Sequence, residues 1–161
     1  MKHVMQQCSA YTAWANKRLF DCVAKLPEET INQEIMSSFP SLRLTVLHMW
    51  NAESIWWQRL KLQERVEPPG PTFVGNFALL QKSSSTQSEQ WAEWVKKASE
   101  VQLQHVFAYR PVKKEEIKKP VYEVLLQLFS HGSYHRGQLV TMLRQHEVTT
   151  IPQTDFSIFP G

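Results

Sequence analysis

Two histidines four residues apart, His131 and His135, sit in an apolar stretch over residues 125–139, and a third, His48, sits in a separate amphipathic stretch upstream. In a helix of about 3.6 residues per turn, side chains at i and i+4 share one face, so the pair can grip a single metal ion. Leu128, Leu139 and Met142 fall on the same stripe, which turns the two imidazoles inward. A lone histidine on such a face is ordinarily a hydrogen-bonded core residue. Two that face each other need a shared partner, and a third on a neighbouring helix completes a three-ligand set with coordination positions left open. Three neutral imidazoles leave the charge of a divalent ion uncompensated, which would lower the pKa of a bound water or a substrate thiol. Imidazole-rich ligation suits zinc, nickel, copper or iron, so the ligand set does not choose the metal.

No H-E-x-x-H motif supplies a general base. Asn16, Glu53 and Tyr134 are the nearest candidates to orient the ligands, and Arg136, beside His135, reads as a structural ion-pair residue rather than a catalytic one. His3, His105 and His146 fall at element ends and read as exposed side chains.

The elements that must position these residues are helical. Apolar positions recur at three and four over residues 9–26 (Tyr11, Trp14, Ala15, Leu19, Cys22, Val23, Leu26), which predicts an amphipathic helix stopped at Pro27. Residues 27–40 are mixed and polar. Ser41 fits the N-cap of a second helix reaching about Leu62, whose apolar face is formed by Leu44, Leu47, His48, Ala52, Ile55, Trp56 and Leu60. Residues 63–76, with Pro68-Pro69-Gly70-Pro71, form a loop. A third helix is expected from about Asn76 to Val101. Residues 106–109 could form a short strand paired near Ile117, and Pro120 fits the first position of a fourth helix running to Gln145 or His146. The tail, with Phe156, Ile158 and Phe159, packs back over the bundle. Gly132 and Gly137 sit inside the fourth helix at a cost of roughly 1 kcal/mol each relative to Ala, a broken local rule beside polar residues that marks a functional stretch.

The bulk numbers agree with one all-α domain over residues 1–161, a four-helix bundle with a possible short β segment before the last long helix. Hydrophobic residues make up 42% and charged residues 20%, which excludes a disordered chain, and six tryptophans with eight phenylalanines supply large core pieces. No run approaches the ~18 apolar residues of a membrane span, and the first residues lack the apolar core of a signal peptide, so a cytoplasmic protein is expected. The net charge of +3 is only mildly basic, and the cluster Lys113-Lys114-Glu115-Glu116-Ile117-Lys118-Lys119 is broken by two acids, which argues against nucleic-acid binding. Cys8 and Cys22, fourteen residues apart in one helix, would stand about 21 Å apart at about 1.5 Å per residue and cannot pair. Apolar residues around Trp14, Trp56 and Trp57 could cover a homodimer interface.

The segment His131-Gly-Ser-Tyr-His135-Arg136-Gly137-Gln138 resembles the H-x-x-x-H-R-G-Q signature of the DinB/YfiT-like proteins. Tyr11-Thr-Ala-Trp14-Ala-Asn16, Leu47-His48 with Ala52-Glu53, and Ile151-Pro152-Gln153-Thr154-Asp155 carry the resemblance over essentially the whole chain. It implies an up-down-down-up bundle, often dimeric, with a divalent metal held at His48, His131 and His135. It also implies a small-molecule substrate, because related branches include S-transferases and isomerases that use low-molecular-weight thiols. Gln127 stands where some members have another histidine and Tyr134 where others do, departures that remove no ligand. Two functions follow: a metal-dependent thiol transferase or hydrolase, or a non-catalytic stress-related or dimerisation module whose metal is structural or absent.

Overall fold

The computed structural model describes residues 1–110 and 115–161. In chain order the elements are α1 (Lys2–Val23), α2 (Glu28–Asn32), α3 (Leu42–Leu60), α4 (Phe77–Lys97), α5 (Glu100–Gln104), β1 (Val106–Tyr109), β2 (Ile117–Pro120) and α6 (Val121–Gln145). Helix, with two short 3-10 turns included, accounts for 66% of the described residues, and the strands form one two-stranded antiparallel ribbon with Tyr109 opposite Ile117, the pairing expected from sequence.

Local chemistry sets most boundaries. The Ser41 side chain accepts the Leu44 N–H at the start of α3, and Asn76 accepts the Leu79 N–H at the start of α4, each satisfying one orphan donor of a first turn. Four boundaries differ from expectation. α1 begins at Lys2 rather than near Ser9, because Met5 packs into the core and Gln6 bonds the Lys96 carbonyl, anchors that one apolar residue could not announce. α2 occupies part of the segment that reads as irregular. The third long helix stops at Lys97, where Ala98 turns extended, and a Ser99/Gln102 capping box starts α5 as a separate turn. Pro120 ends β2 and caps α6 from outside instead of opening it.

Side-chain pairs fix the helix directions. α1 and α4 run antiparallel, since Gln6 meets Lys96 while Asn16 meets Ser88. α3 and α4 run parallel: Trp57 packs on Trp91, Glu53 bonds Ser88, and Leu42 and Val46 share a cluster with Phe77 and Leu80. α3 opposes α6, with Thr45 on Met142 and His48 on His131. The bundle is therefore up-down-down-up.

Parallel α3 and α4 require the loop between them to travel the length of the bundle. It does so back along α3: Gln58 accepts the Glu67 N–H, Asn51 accepts the Gly70 N–H, and Arg43 donates to the Gly75 carbonyl. A Cβ on Gly70 would stand 2.6 Å from the Asn51 amide, so a side chain there would displace the Asn51 group that accepts the Gly70 N–H.

The core is in two parts. One apolar cluster joins Leu19, Phe20, Leu42, Val46, Phe77, Leu139 and Met142 at one end, and the other joins Met5, Trp91, Val95, Leu103, Val124 and Leu125 at the opposite end. The buried positions of α3 are Leu42, Thr45, Val46, Met49 and Glu53, whereas on the expected face Leu44 is 39% exposed and Leu47, Trp56 and Leu60 are only partly buried against the core. The stripe expected from apolar residues alone is rotated, because Thr45 and Glu53 are polar members of the buried one. Trp14, Trp56 and Trp57 are each partly covered within the chain, by Phe159, Tyr109 and Trp91 respectively. The tail returns as expected: the Tyr11 hydroxyl donates to the Thr154 carbonyl. Cys8 and Cys22 are free thiols. Of the basic cluster, Lys113 and Lys114 lie outside the described residues, while Lys119 pairs with Glu123.

Candidate metal centre

His48 on α3 and His131 and His135 on α6 meet where the antiparallel pair faces each other. Each offers one ligand atom, and the three atoms lie within 4.8 Å of one another. His131 Nε2 stands 2.9 Å from His48 Nε2 and 3.0 Å from His135 Nε2. A ring nitrogen carries either one N–H or one lone pair, so His131 Nε2 cannot satisfy two neighbours by hydrogen bonding. A cation between them satisfies all three lone pairs. Three nitrogens this close together would all lie within reach of one ion.

The protonation states fit a cation as well. Burial, with the charge of His135 and then His48 added, holds His131 down to about 4. Burial, followed by the nearby His135, lowers His48, and burial lowers His135 against the opposing pull of Gln138. All three are neutral ligands at neutral pH. Gln138 fixes the tautomer of His135: its amide nitrogen donates to Ser38 Oγ, so its Oε1 is the atom 2.7 Å from His135 Nδ1. Nδ1 must then carry the proton, leaving the Nε2 lone pair aimed at the other two rings. Phe39 closes one side, stacked on His48 at 4.0 Å between centroids and touching His135 at 5.7 Å.

The supporting residues expected from sequence divide into two groups. Tyr134 is 62% exposed, and its ring meets His135 edge-on at 5.0 Å. Asn16, Glu53 and Arg136 are instead buried in a polar layer between the two apolar clusters. Arg136 Nη1 donates to Asn16 Oδ1 at 2.9 Å, Asn16 Nδ2 donates to Glu53 Oε1 at 3.1 Å, and the Ser88 hydroxyl reaches the same carboxylate at 2.8 Å. Trp91 Nε1 donates to the Glu53 backbone carbonyl. Burial dominates at Glu53 and pushes its carboxyl up to about 7, against Ser88, Arg136 and Asn16, which pull it down. Arg136 makes no direct ion pair among the described residues: it bonds Asn16 and Ser133 and lies 5.2 Å over the Tyr11 ring. Among the described residues no hydrogen bond joins this layer to the three histidines; they are neighbours only through the backbone, Arg136 next to His135 and Glu53 five residues after His48.

Sequence reasoning missed Phe39, Ser38, Gln138 and Ser88 as contributors. Gln138 carried a signal, lying three residues after His135 on the same helix side. Phe39 and Ser38 come from a loop whose path nothing local specifies. His146, read as exposed, is partly covered, with its Nε2 buried and without a hydrogen-bond partner among the described residues, whereas His3 and His105 are exposed.

Comparison with known proteins agrees with this architecture. The chain is 26% identical over 164 residues to Protein DinB of Bacillus subtilis (strain 168), covering 92% of this chain and 89% of that protein. Its fold matches the crystal structure of a DinB-like protein from Bacillus cereus ATCC 10987 with a TM-score of 0.68 at 18% identity, over 89% of this chain and 90% of the other. The model of the DinB family matches residues 1–159, and the chain belongs to the DinB family.

Proposed function

We propose that the protein is a metal-dependent enzyme acting on a small molecule, by thiol S-transfer or hydrolysis, with a divalent ion, zinc or nickel, held by His48, His131 and His135. The observation that carries this is the convergence of three imidazole nitrogens with no carboxylate among their hydrogen-bond partners in the described residues. A divalent ion there supplies Lewis acidity, easing deprotonation of a thiol or water near neutral pH. The chain's own residues hold the lone pairs in place, through Gln138 on His135 and the Phe39 ring against His48, and exclude water on the Phe39 side. Among the described residues no helix is long and apolar enough to cross a membrane; the enzyme would work in the cytoplasm as a homodimer.

Metal analysis of protein purified without a nickel column tests the binding. Near-stoichiometric metal in the native chain, lost in His131→Ala, is expected. A trace content that His131→Ala leaves unchanged would overturn it. A screen of low-molecular-weight thiols with electrophiles separates catalysis from a purely structural metal: turnover that requires both thiol and metal is expected. Silence across the panel, together with a large loss of stability on chelation, would favour the non-catalytic module.

A further inference from the structure

Residues 33–40, between α2 and α3, lie against the three histidines and are anchored at both ends. Ile35 packs on the apolar cluster that contains Leu139, and Ser41 caps α3. The Ile35 N–H donates to the Pro40 carbonyl at 3.0 Å, which closes the segment into a short strap. Between these anchors Met36 is 98% exposed, and a cleft of about 280 Å³ lies between Met36 and Ser37 on the strap and Tyr134, Gly137 and Gln138 on α6.

The middle of the strap is held by the metal centre itself. Phe39 belongs to neither apolar cluster, and the aromatic rings it meets are His48 and His135. Ser38 Oγ accepts from Gln138 Nε2 at 3.0 Å, and Gln138 in turn holds His135 Nδ1. Among the described residues, the side-chain hydrogen bonds and aromatic contacts of residues 36–40 all end on His48, His135 or Gln138. The Phe39 and His48 rings lie nearly parallel, 22° apart, with centroids at 4.0 Å. Two neutral rings face to face attract each other weakly. An imidazole that gives its lone pair to a divalent ion becomes electron-poor, and the negative face of a phenyl ring then attracts it. The same bond fixes the ring torsions of His48 and His135, so the platform under Phe39 keeps one orientation.

Resting on the metal reading above, we propose that residues 36–40 are a strap coupled to the ion: metal on His48, His131 and His135 docks Phe39 and Ser38, and the docked strap tightens the hold on the metal. The coupling is reciprocal, because the free energy that the ion gives to docking is the same that docking returns to the ion. An undocked strap uncovers His48 and His135 on the side that Phe39 shields.

Hydrogen exchange of the Ile35 amide in the full chain reads the strap without needing activity, because that N–H is protected while the Pro40 carbonyl is in place. Zinc should slow it by about 5–150-fold relative to chelator-treated protein. The Glu67 amide, held by Gln58 in the 61–76 loop, should not change and serves as the control. In Phe39→Ala, zinc affinity measured by competition with a chromophoric chelator should fall by a similar factor, and zinc should no longer slow Ile35. Phe39→Tyr should behave as the native chain and Phe39→Leu as Phe39→Ala, since the contact needs an aromatic face. Equal Ile35 exchange with and without zinc in protein that binds it overturns the strap, as does unchanged zinc affinity in Phe39→Ala or Phe39→Leu. A native chain that takes up no zinc overturns the metal reading, and the strap with it.

Discussion

At the scale of single residues, the question is what holds an imidazole with its lone pair pointing the right way. For His135 the answer is a two-step chain, Ser38 to Gln138 to Nδ1, which sets the tautomer from the far side of the ring. A partner of this kind is worth about 10–100-fold in metal affinity. Gln138→Leu keeps the volume and the helix, so the fold should persist while zinc affinity falls by about that factor in competition with a chromophoric chelator. Unchanged affinity would mean that packing against Phe39 and Tyr134, rather than the hydrogen bond, orients the ring.

At the scale of elements, the two glycines of α6 have different reasons to be there. A Cβ on Gly132 would stand 3.2 Å from Arg136 Nη1, a tight contact, and 3.7 Å from Thr12 Cγ2, an ordinary one, so this glycine leaves room for the Arg136 guanidinium beside α1. Nothing lies within 4 Å of a Cβ on Gly137, which is exposed. Gly137→Ala should therefore stabilise by about 1 kcal/mol, raising Tm by about 2–4 °C, whereas Gly132→Val should lower it by forcing α1 and Arg136 away. Calorimetry of the two variants checks both signs. The rotated face of α3 has a related lesson. Periodicity counts apolar residues, and the buried stripe of α3 contains Thr45 and Glu53, whose burial depends on partners from other helices.

At the scale of the whole molecule, the polar layer of Asn16, Glu53, Ser88 and Arg136 ties all four long helices together across a core divided into two apolar halves. Burial raises the Glu53 carboxyl to about 7 from an ordinary value of 4.5. Between those values the native chain holds a proton that the unfolded chain has released. Stability should therefore fall as pH rises through this window and level off above it. Glu53→Gln cannot titrate. Urea denaturation at about pH 5 and about pH 8 should show the native chain losing stability relative to the variant by up to about 1.4 kcal/mol per pH unit. Parallel curves would mean that Glu53 is ionised throughout, matched by Arg136 through Asn16.

The sequence by itself determined the helical class, the capped start of α3, the onset of α4 near Asn76, the β1–β2 pairing and the three histidines. Those features rest on short-range rules: periodicity, capping side chains and i, i+4 spacing. Asn16, Glu53 and Arg136 were also legible as residues of interest, but not as one buried layer apart from the histidines. Only the tertiary structure decided that division, the path of the 61–76 loop, the rotation of α3 and the closure by Phe39. Each depends on which helix lies beside which, and that follows from packing all four apolar faces at once, a condition that no single stretch of chain contains.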